Sequence, residues 1–217
     1  LYDAIVIGGG AAGLFCAIEA GKRQKRVLVI EHNAEVGRKI LISGGGRCNF
    51  TNRDVRSENF ISANPHFCKS ALSRYTPQDF TELVKKHRIA YYEKTLGQLF
   101  CRESSRQIVE MLLTECRAAK VQIRTACTVT AVKKAEHFDV ETSQGKFAGR
   151  NLVIASGGLS FAKVGATDFG YRIARQFGHK IVETRPSLVA LVAKGGGWKQ
   201  LAGSSVEAEV STGKASF

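Results

Sequence analysis

No C-x-x-C pair occurs among the six cysteines, Cys16, Cys48, Cys68, Cys101, Cys116 and Cys127. That excludes a thioredoxin-like redox motif and a zinc knuckle, and no metal site is expected. No run of five basic residues occurs either, although Lys and Arg outnumber Asp and Glu by 32 to 19. The resulting net charge of +13 and isoelectric point near 9.7 favour anionic ligands in general. Cations scattered in this way read mainly as a solvated face, which weighs against nucleic acid as a partner. The chain also lacks an 18-residue apolar stretch and a signal peptide. With no paired cysteines, the expectation is a cytoplasmic protein without a membrane partner. A second complete G-x-G-x-x-G is absent, so the sequence contains no independent pyridine-nucleotide motif. Apolar and charged fractions of 44% and 24% are those of an ordinary globular chain with a core.

What is present is concentrated at the start. Tyr2 to Ile7 is nearly all apolar, as expected of a strand buried on both faces of a parallel sheet. It runs into Gly8-Gly9-Gly10-Ala11-Ala12-Gly13, then into a helical stretch from Leu14 to Gly21 and a second apolar strand, Arg26 to Ile30, ending at Glu31. In a dinucleotide fingerprint Gly8 permits the tight turn, Gly10 lets the backbone approach a pyrophosphate, and Gly13 lets helix and sheet pack closely. The helix start, with Ala11 and Ala12, offers N–H groups and a positive dipole end to phosphates. Glu31, about 20 residues on, is placed to accept hydrogen bonds from a ribose. An acid there disfavours a 2′-phosphate, so FAD or NAD fits better than NADP.

The next stretch, His32 to Asn52, sets Gly44, Gly45 and Gly46 among the cations Arg38, Lys39 and Arg47. A basic, glycine-rich backbone can wrap a diphosphate or lie against a flat ring. The whole pattern, G-R-K-x-x-x-S-G-G-G-R-C-N-x-T-N from Gly37 to Asn52, resembles the YhiN/BaiN-type flavoproteins. These are NAD(P)/FAD-dependent oxidoreductases or aminoacetone-oxidase-family FAD-binding enzymes. The resemblance implies that His32, Gly37, Arg38 and Lys39 lie along the ribose and pyrophosphate of FAD. It also implies that Gly44, Gly45, Gly46, Arg47, Cys48 and Asn49 approach the isoalloxazine. Cys48, beside Arg47, could be a reactive thiolate, but packing beneath the cofactor is the favoured reading.

From Ser57 to Lys120 the chain reads as a mainly helical excursion. Pro65 to Arg74 is one short helix; Thr76 caps another, with Pro77 in its first position, running to about His87. Ile89 to Tyr92 and Gln98 to Cys101 read as short strands, and Ser104 or Ser105 caps a helix through about Ala119. Cys16 and Cys116 are expected to be buried structural thiols. His66, His87, Tyr91, Tyr92 and Glu93 form no metal or triad spacing and are assigned no chemistry. Beyond Val121 come short strands, with a hairpin at Ser143-Gln144 and separate strands at Gly145 to Gly149 and Asn151 to Ala155. By resemblance, Val129 borders the adenine, and Ser156, Gly157 and Gly158 form the small-residue turn that closes over FAD. Phe161-Ala162 stands where family members often carry Tyr-Pro. Thr167 or Asp168 caps a helix through about Phe177, with Gly178 just past its end.

The expected architecture is α/β: a Rossmann-like FAD-binding domain, with a parallel sheet, helices and a small antiparallel β segment. It occupies 1–186, with its C-terminal return segment absent, and 187–217 begins an inserted β-rich domain with a strand at Ser187 to Val192. A first residue other than Met and an abrupt end suggest a piece of a longer protein. The expected function is FAD-dependent oxidoreduction of a small molecule, with NAD(P)H as a candidate electron donor and no assignable catalytic residue. Alternatives are a flavin-binding but inert module, an FAD-dependent RNA-modifying enzyme suggested by charge alone, and a nicotinamide-dependent dehydrogenase. Oligomeric state is not legible.

Overall fold

The structure, a computed structural model, describes residues 1–160 and 164–185. Cα packing divides the chain into Leu1–Ile181 and Val182–Phe217; the first unit carries everything below. The Ser187 strand, the inserted-domain start and the Phe161-Ala162 pair lie outside the described residues.

The central sheet has six strands: β1 (Tyr2–Ile7), β2 (Val27–Ile30), β6 (Gln122–Arg124), β7 (Val129–Lys134), β8 (Phe138–Thr142) and β9 (Gly145–Ile154). Their order is β6-β2-β1-β9-β8-β7. The first four are parallel; β9, β8 and β7 are antiparallel. The reading of Gly145–Gly149 and Asn151–Ala155 as separate strands is corrected here, because β9 runs through both. Its first half pairs with β8, from Thr142↔Gly145 to Phe138↔Gly149. Its second half pairs with β1, from Ala4↔Asn151 to Ile7↔Ile154. Gly149, at the join, keeps the strand continuous: a Cβ there would lie 2.8 Å from Ile5 Cγ1.

Alternation along the strands splits the core by sheet face. Val6, Val27 and Val29 face α1 (Ala11–Lys22) and α5 (Arg106–Ala118), packing with Leu14, Ile18, Met111 and Leu112. Ile5, Ile7, Leu28 and Ile30 face the other way, with Val132, Val140 and Ile173 of α6 (Phe169–Gln176). A second sheet, β3 (Asn49–Asn52), β4 (Tyr91–Glu93) and β5 (Gln98–Cys101), is antiparallel in the order β3-β5-β4.

The excursion contains α3 (Lys69–Arg74) and α4 (Pro77–Lys86), after the short α2 (Arg38–Ile42). Thr76 caps α4 reciprocally: Asp79 N donates to Thr76 Oγ1 at 3.2 Å, and Thr76 N donates to Asp79 Oδ2 at 2.7 Å. At α5 the two serines divide their roles. Ser104 Oγ accepts from Arg106 N at 3.2 Å, while buried Ser105 donates to Leu41 O at 2.8 Å, tying α5 to α2. All six cysteines are free thiols; Cys116 is buried as expected, but Cys16 is only half-buried because it sits beside the core stripe of α1. Among the described residues no helix is long and apolar enough to cross a membrane.

Glu115 of α5 is buried and meets two side chains from the end of α4: Lys86 Nζ and His87 Nε2 each lie 2.7 Å from its Oε1. His87 is thereby tied to α5. The Lys86 hydrogen bond, with His87 adding to it, holds the Glu115 carboxyl below the usual carboxylate range. A carboxylate with a depressed folded pKa stabilises the fold above its unfolded pKa of about 4.3 and loses that contribution as pH falls. Glu115→Gln is therefore expected to lower the urea midpoint at neutral pH and to flatten its decline in acid. Urea titrations at several pH values check this; an unchanged acid limb would mean Glu115 contributes nothing to it.

Candidate cofactor site

The carboxyl ends of β1, β2 and β9 open onto a cavity of about 820 Å³, within the range that encloses cofactors and drug-sized ligands. Gly8 leaves β1 with φ +112°, a conformation that L side chains rarely adopt, and any Cβ there would strike the Ala155 carbonyl. Its N–H donates to Ile30 O at 2.8 Å, holding the turn over β2. A Cβ on Gly13 would strike the Gly8 carbonyl, so Gly13 sits behind the turn and lets α1 press against it. Gly10, the N-cap of α1, has no side-chain cap and nothing within 4 Å of its Cβ direction. Ala11 and Ala12 are exposed on the cavity wall, and no acid occupies the first turn. The open N–H groups of this helix start suit an anion.

Glu31 is buried and does more than face the cavity. Its Oε2 accepts from Gly9 N at 2.7 Å; its Oε1 accepts from Asn33 N at 2.9 Å and Asn33 Nδ2 at 2.7 Å. His32 Nδ1 stands 3.1 Å from the same Oε1. A carboxylate has about four acceptor positions, so Oε2, with one bond, keeps room for a hydroxyl. Gly37 N donates to Gly9 O at 2.8 Å, which joins the start of α2 to the glycine turn. Arg38 and Lys39 are exposed on the wall, Arg38 Nη1 donating to Asn33 Oδ1 at 3.2 Å and Lys39 Nζ to Ser160 Oγ at 2.7 Å.

Across the cavity Val129, Ala155, Ser156, Gly157 and Gly158 form the facing wall. Ser156 Oγ is buried with no hydrogen-bond partner among the described residues, an orphan hydroxyl beside the cavity. Residues 164–167 and Phe169 complete that side, and Gly165 packs directly on His32 and Asn33.

The glycine-rich loop meets the cavity at its two ends. Ser43, Cys48 and Asn49 line the cavity, whereas Gly44, Gly45, Gly46 and Arg47 stand outside its lining. The loop is also tethered: Cys48 N donates to Ser43 O at 3.0 Å, Cys101 N to Arg47 O at 2.9 Å, and Ser105 N to Gly46 O at 2.8 Å. Burial pushes the Cys48 thiol up, only partly opposed by its hydrogen bond with Ser43, so it is a neutral packing group. Sequence reasoning missed Asn33, Ser43 and Ser160, whose roles depend on partners distant in the chain. It also missed an aromatic wall formed by Phe15, Phe50, Tyr75 and Phe80; Phe15 meets Tyr75 edge-on at 4.8 Å and Phe80 at 6.4 Å.

FAD fits these residues: an uncapped helix start for its diphosphate, a spare acid acceptor for its ribose, an orphan serine hydroxyl, and an apolar and aromatic end. The model of the HI0933-like protein Rossmann domain matches residues 2–213. The chain belongs to that family. The cofactor of this HI0933-like domain is FAD, and its Rossmann fold with a small antiparallel sheet is the expected one.

Among relatives of the HI0933-like chain is the ribosomal RNA dihydrouridine synthase of Escherichia coli (strain K12). It is 52% identical over 189 residues, covering 87% of this chain and 47% of that protein. The 3-dehydro-bile acid delta(4,6)-reductase of Clostridium scindens is 30% identical over 210 residues, covering 94% of this chain and 51% of that protein. The chain thus spans about half the length of the curated relatives it matches. Among solved structures, L-proline dehydrogenase from P. horikoshii superposes with a TM-score of 0.51 at 13% identity, over 72% of this chain and 53% of that one. That likeness concerns the fold alone.

Proposed function

We propose that the protein takes part in flavin-dependent reduction of uridine to dihydrouridine in ribosomal RNA. The observation that carries this reading is the 52% identity to the Escherichia coli ribosomal RNA dihydrouridine synthase. The bile-acid relative supports the reaction class. Its name describes a 3-oxo steroid with conjugated double bonds, and uracil likewise has a C5=C6 bond conjugated to a carbonyl. In both cases reduction adds hydride to the electron-poor carbon of a conjugated alkene and a proton to its neighbour. Bound FAD supplies that hydride once reduced.

The residues then divide the work of holding and aiming. Gly8, Gly10, Ala11, Ala12 and Gly13 present the start of α1 to the diphosphate, with Arg38 and Lys39 adding positive charge. Glu31 and Val129 hold the adenosine end, with His32 beside it. Ser156, Gly157 and Gly158 close the opposite wall, and Gly37 anchors the turn. We place Cys48 and Asn49 at the flavin end, with Gly44, Gly45, Gly46 and Arg47 behind them, outside the lining. We assign 1–186 to the FAD domain, 187–217 to the start of an inserted β-rich domain, and NAD(P)H as electron source. A small-molecule enone remains a second reading, favoured by the 30% relative.

The test uses protein whose flavin has been reduced chemically without oxygen, mixed with ribosomal RNA from cells lacking dihydrouridine. The expected result is flavin reoxidation together with a gain of two hydrogens in a uridine-containing fragment by mass spectrometry. Reoxidation by a 3-oxo-4,6-diene but not by RNA would favour the second reading. Reoxidation by neither would defeat both.

A further inference from the structure

The outer face of the small sheet β3-β5-β4 meets the cofactor site only at Asn49, and it carries the half-buried Tyr92 and the buried Phe100 with cations beside them. Tyr92 of β4, Phe100 of β5 and Asn49 of β3 are register partners, and residues directly opposite share a face. The Tyr92 and Phe100 rings stack with centroids 5.9 Å apart at 25°. The Arg102 guanidinium lies 6.0 Å from the Tyr92 ring and Lys94 Nζ lies 5.6 Å from the Phe100 ring. Arg47 joins them, its Nη1 donating to Arg102 O at 3.0 Å. Arg47, Lys94 and Arg102 are exposed. Among the described residues none of the three has a carboxylate within ion-pair distance, because the nearby acids are engaged elsewhere. Glu93 pairs with Arg53, Asp54 with Arg56, and Glu103 accepts from Gln107 Nε2 at 3.0 Å. Leu96, 90% exposed, stands in the turn between β4 and β5.

We infer that this face is a landing platform for single-stranded RNA, guiding the strand that bears the target uridine to the flavin end of the cavity. The inference rests on the ribosomal RNA reading above. Three unpaired cations supply phosphate contacts, and the half-buried Tyr92 with the Arg102 plane supplies stacking surface for a base, the combination that single strands require. The platform is continuous with the cavity: Asn49 belongs to its register and also lines the wall. Net charge alone does not make such a site. Here the three charges are local, without a carboxylate in ion-pair distance among the described residues, and they stand beside rings.

The experiment compares the protein with Lys94→Ala/Arg102→Gln and with Lys25→Ala/Lys120→Ala, a control that removes the same charge from exposed positions elsewhere. KM and kcat for dihydrouridine formation are measured on ribosomal RNA, with flavin content as the check on folding. Affinity for a short single-stranded RNA is measured across a salt series. The platform variant is expected to raise KM about tenfold with kcat unchanged, and to reduce the salt slope by about 1.4, at ~0.7 for each lost phosphate contact. The control should change neither. Should the platform variant lose flavin, Lys94→Gln alone is compared by the same KM and slope, and half the slope change is expected. An unaltered KM and slope in a flavin-loaded platform variant, or an equal effect in the control, would overturn the platform while leaving the RNA reading intact. Failure of the unaltered protein to act on RNA would overturn both.

Discussion

Gly13→Ala is expected to leave the protein without FAD. The added Cβ points straight at the Gly8 carbonyl oxygen, and Gly8 cannot retreat because its own Cβ direction is filled by the Ala155 carbonyl. Backbone stands on both sides, so no side-chain rotation relieves the clash. Either α1 moves off the sheet or the glycine turn opens, and both displace the helix start that faces the diphosphate. Overpacking of this kind costs about 1–3 kcal/mol or more. If it falls on the bound state, affinity drops about fivefold to 150-fold, at tenfold for every ~1.4 kcal/mol. Flavin released from equal amounts of purified protein measures it. Gly10→Ala is the contrast: nothing lies within 4 Å of its Cβ direction, so loss there would arise only from the cofactor's own approach. Equal flavin retention in Gly13→Ala and the unaltered protein would show that the turn tolerates displacement.

The second large effect is expected from Glu31→Ala, and it should appear with and without cofactor. The carboxylate accepts from Gly9 N, Asn33 N and Asn33 Nδ2, and it is buried. Truncation orphans the Gly9 N–H beneath Val36 and unties Asn33, which in turn orients Arg38. Each buried donor left unpaired costs about 1–3 kcal/mol. The apoprotein should therefore unfold at lower urea, and flavin affinity should fall as well, since a ribose acceptor and the turn's anchor go together. A residue that served only the ribose would change affinity alone. Urea titration of flavin-free protein separates the two.

Much of this site was legible because the fingerprint compresses its constraints. From Tyr2 to Glu31 strand, turn, helix and second strand are neighbours in sequence, and the positive φ of Gly8 and the approach of Gly13 to the Gly8 carbonyl are local demands. The Thr76-Pro77-Asp79 cap was readable for the same reason. What escaped depends on partners far along the chain. Gly149-Arg150 reads as a break until Ile5 is seen to need the missing Cβ, which makes β9 one strand. Three consecutive glycines read as a flexible loop, yet Gly46 O and Arg47 O are held by Ser105 N and Cys101 N, more than fifty positions away. Ser105 looked like a helix cap, but its hydroxyl donates to Leu41 O in another helix. The orphan Ser156 hydroxyl and the aromatic wall have no local signature at all. Scattered basic residues looked merely solvated because Arg47, Lys94 and Arg102 gather only when β3, β4 and β5 pair.

The central claim, that the cavity between Gly8–Gly13 and Ser156–Gly158 is an FAD site, is tested most directly by the visible spectrum of the purified protein. The spectrum is followed by heat release and chromatography of the pigment. The account predicts a flavin spectrum and one FAD released per chain, with Gly13→Ala colourless under the same conditions. A colourless unaltered protein that also fails to take up added FAD would contradict it.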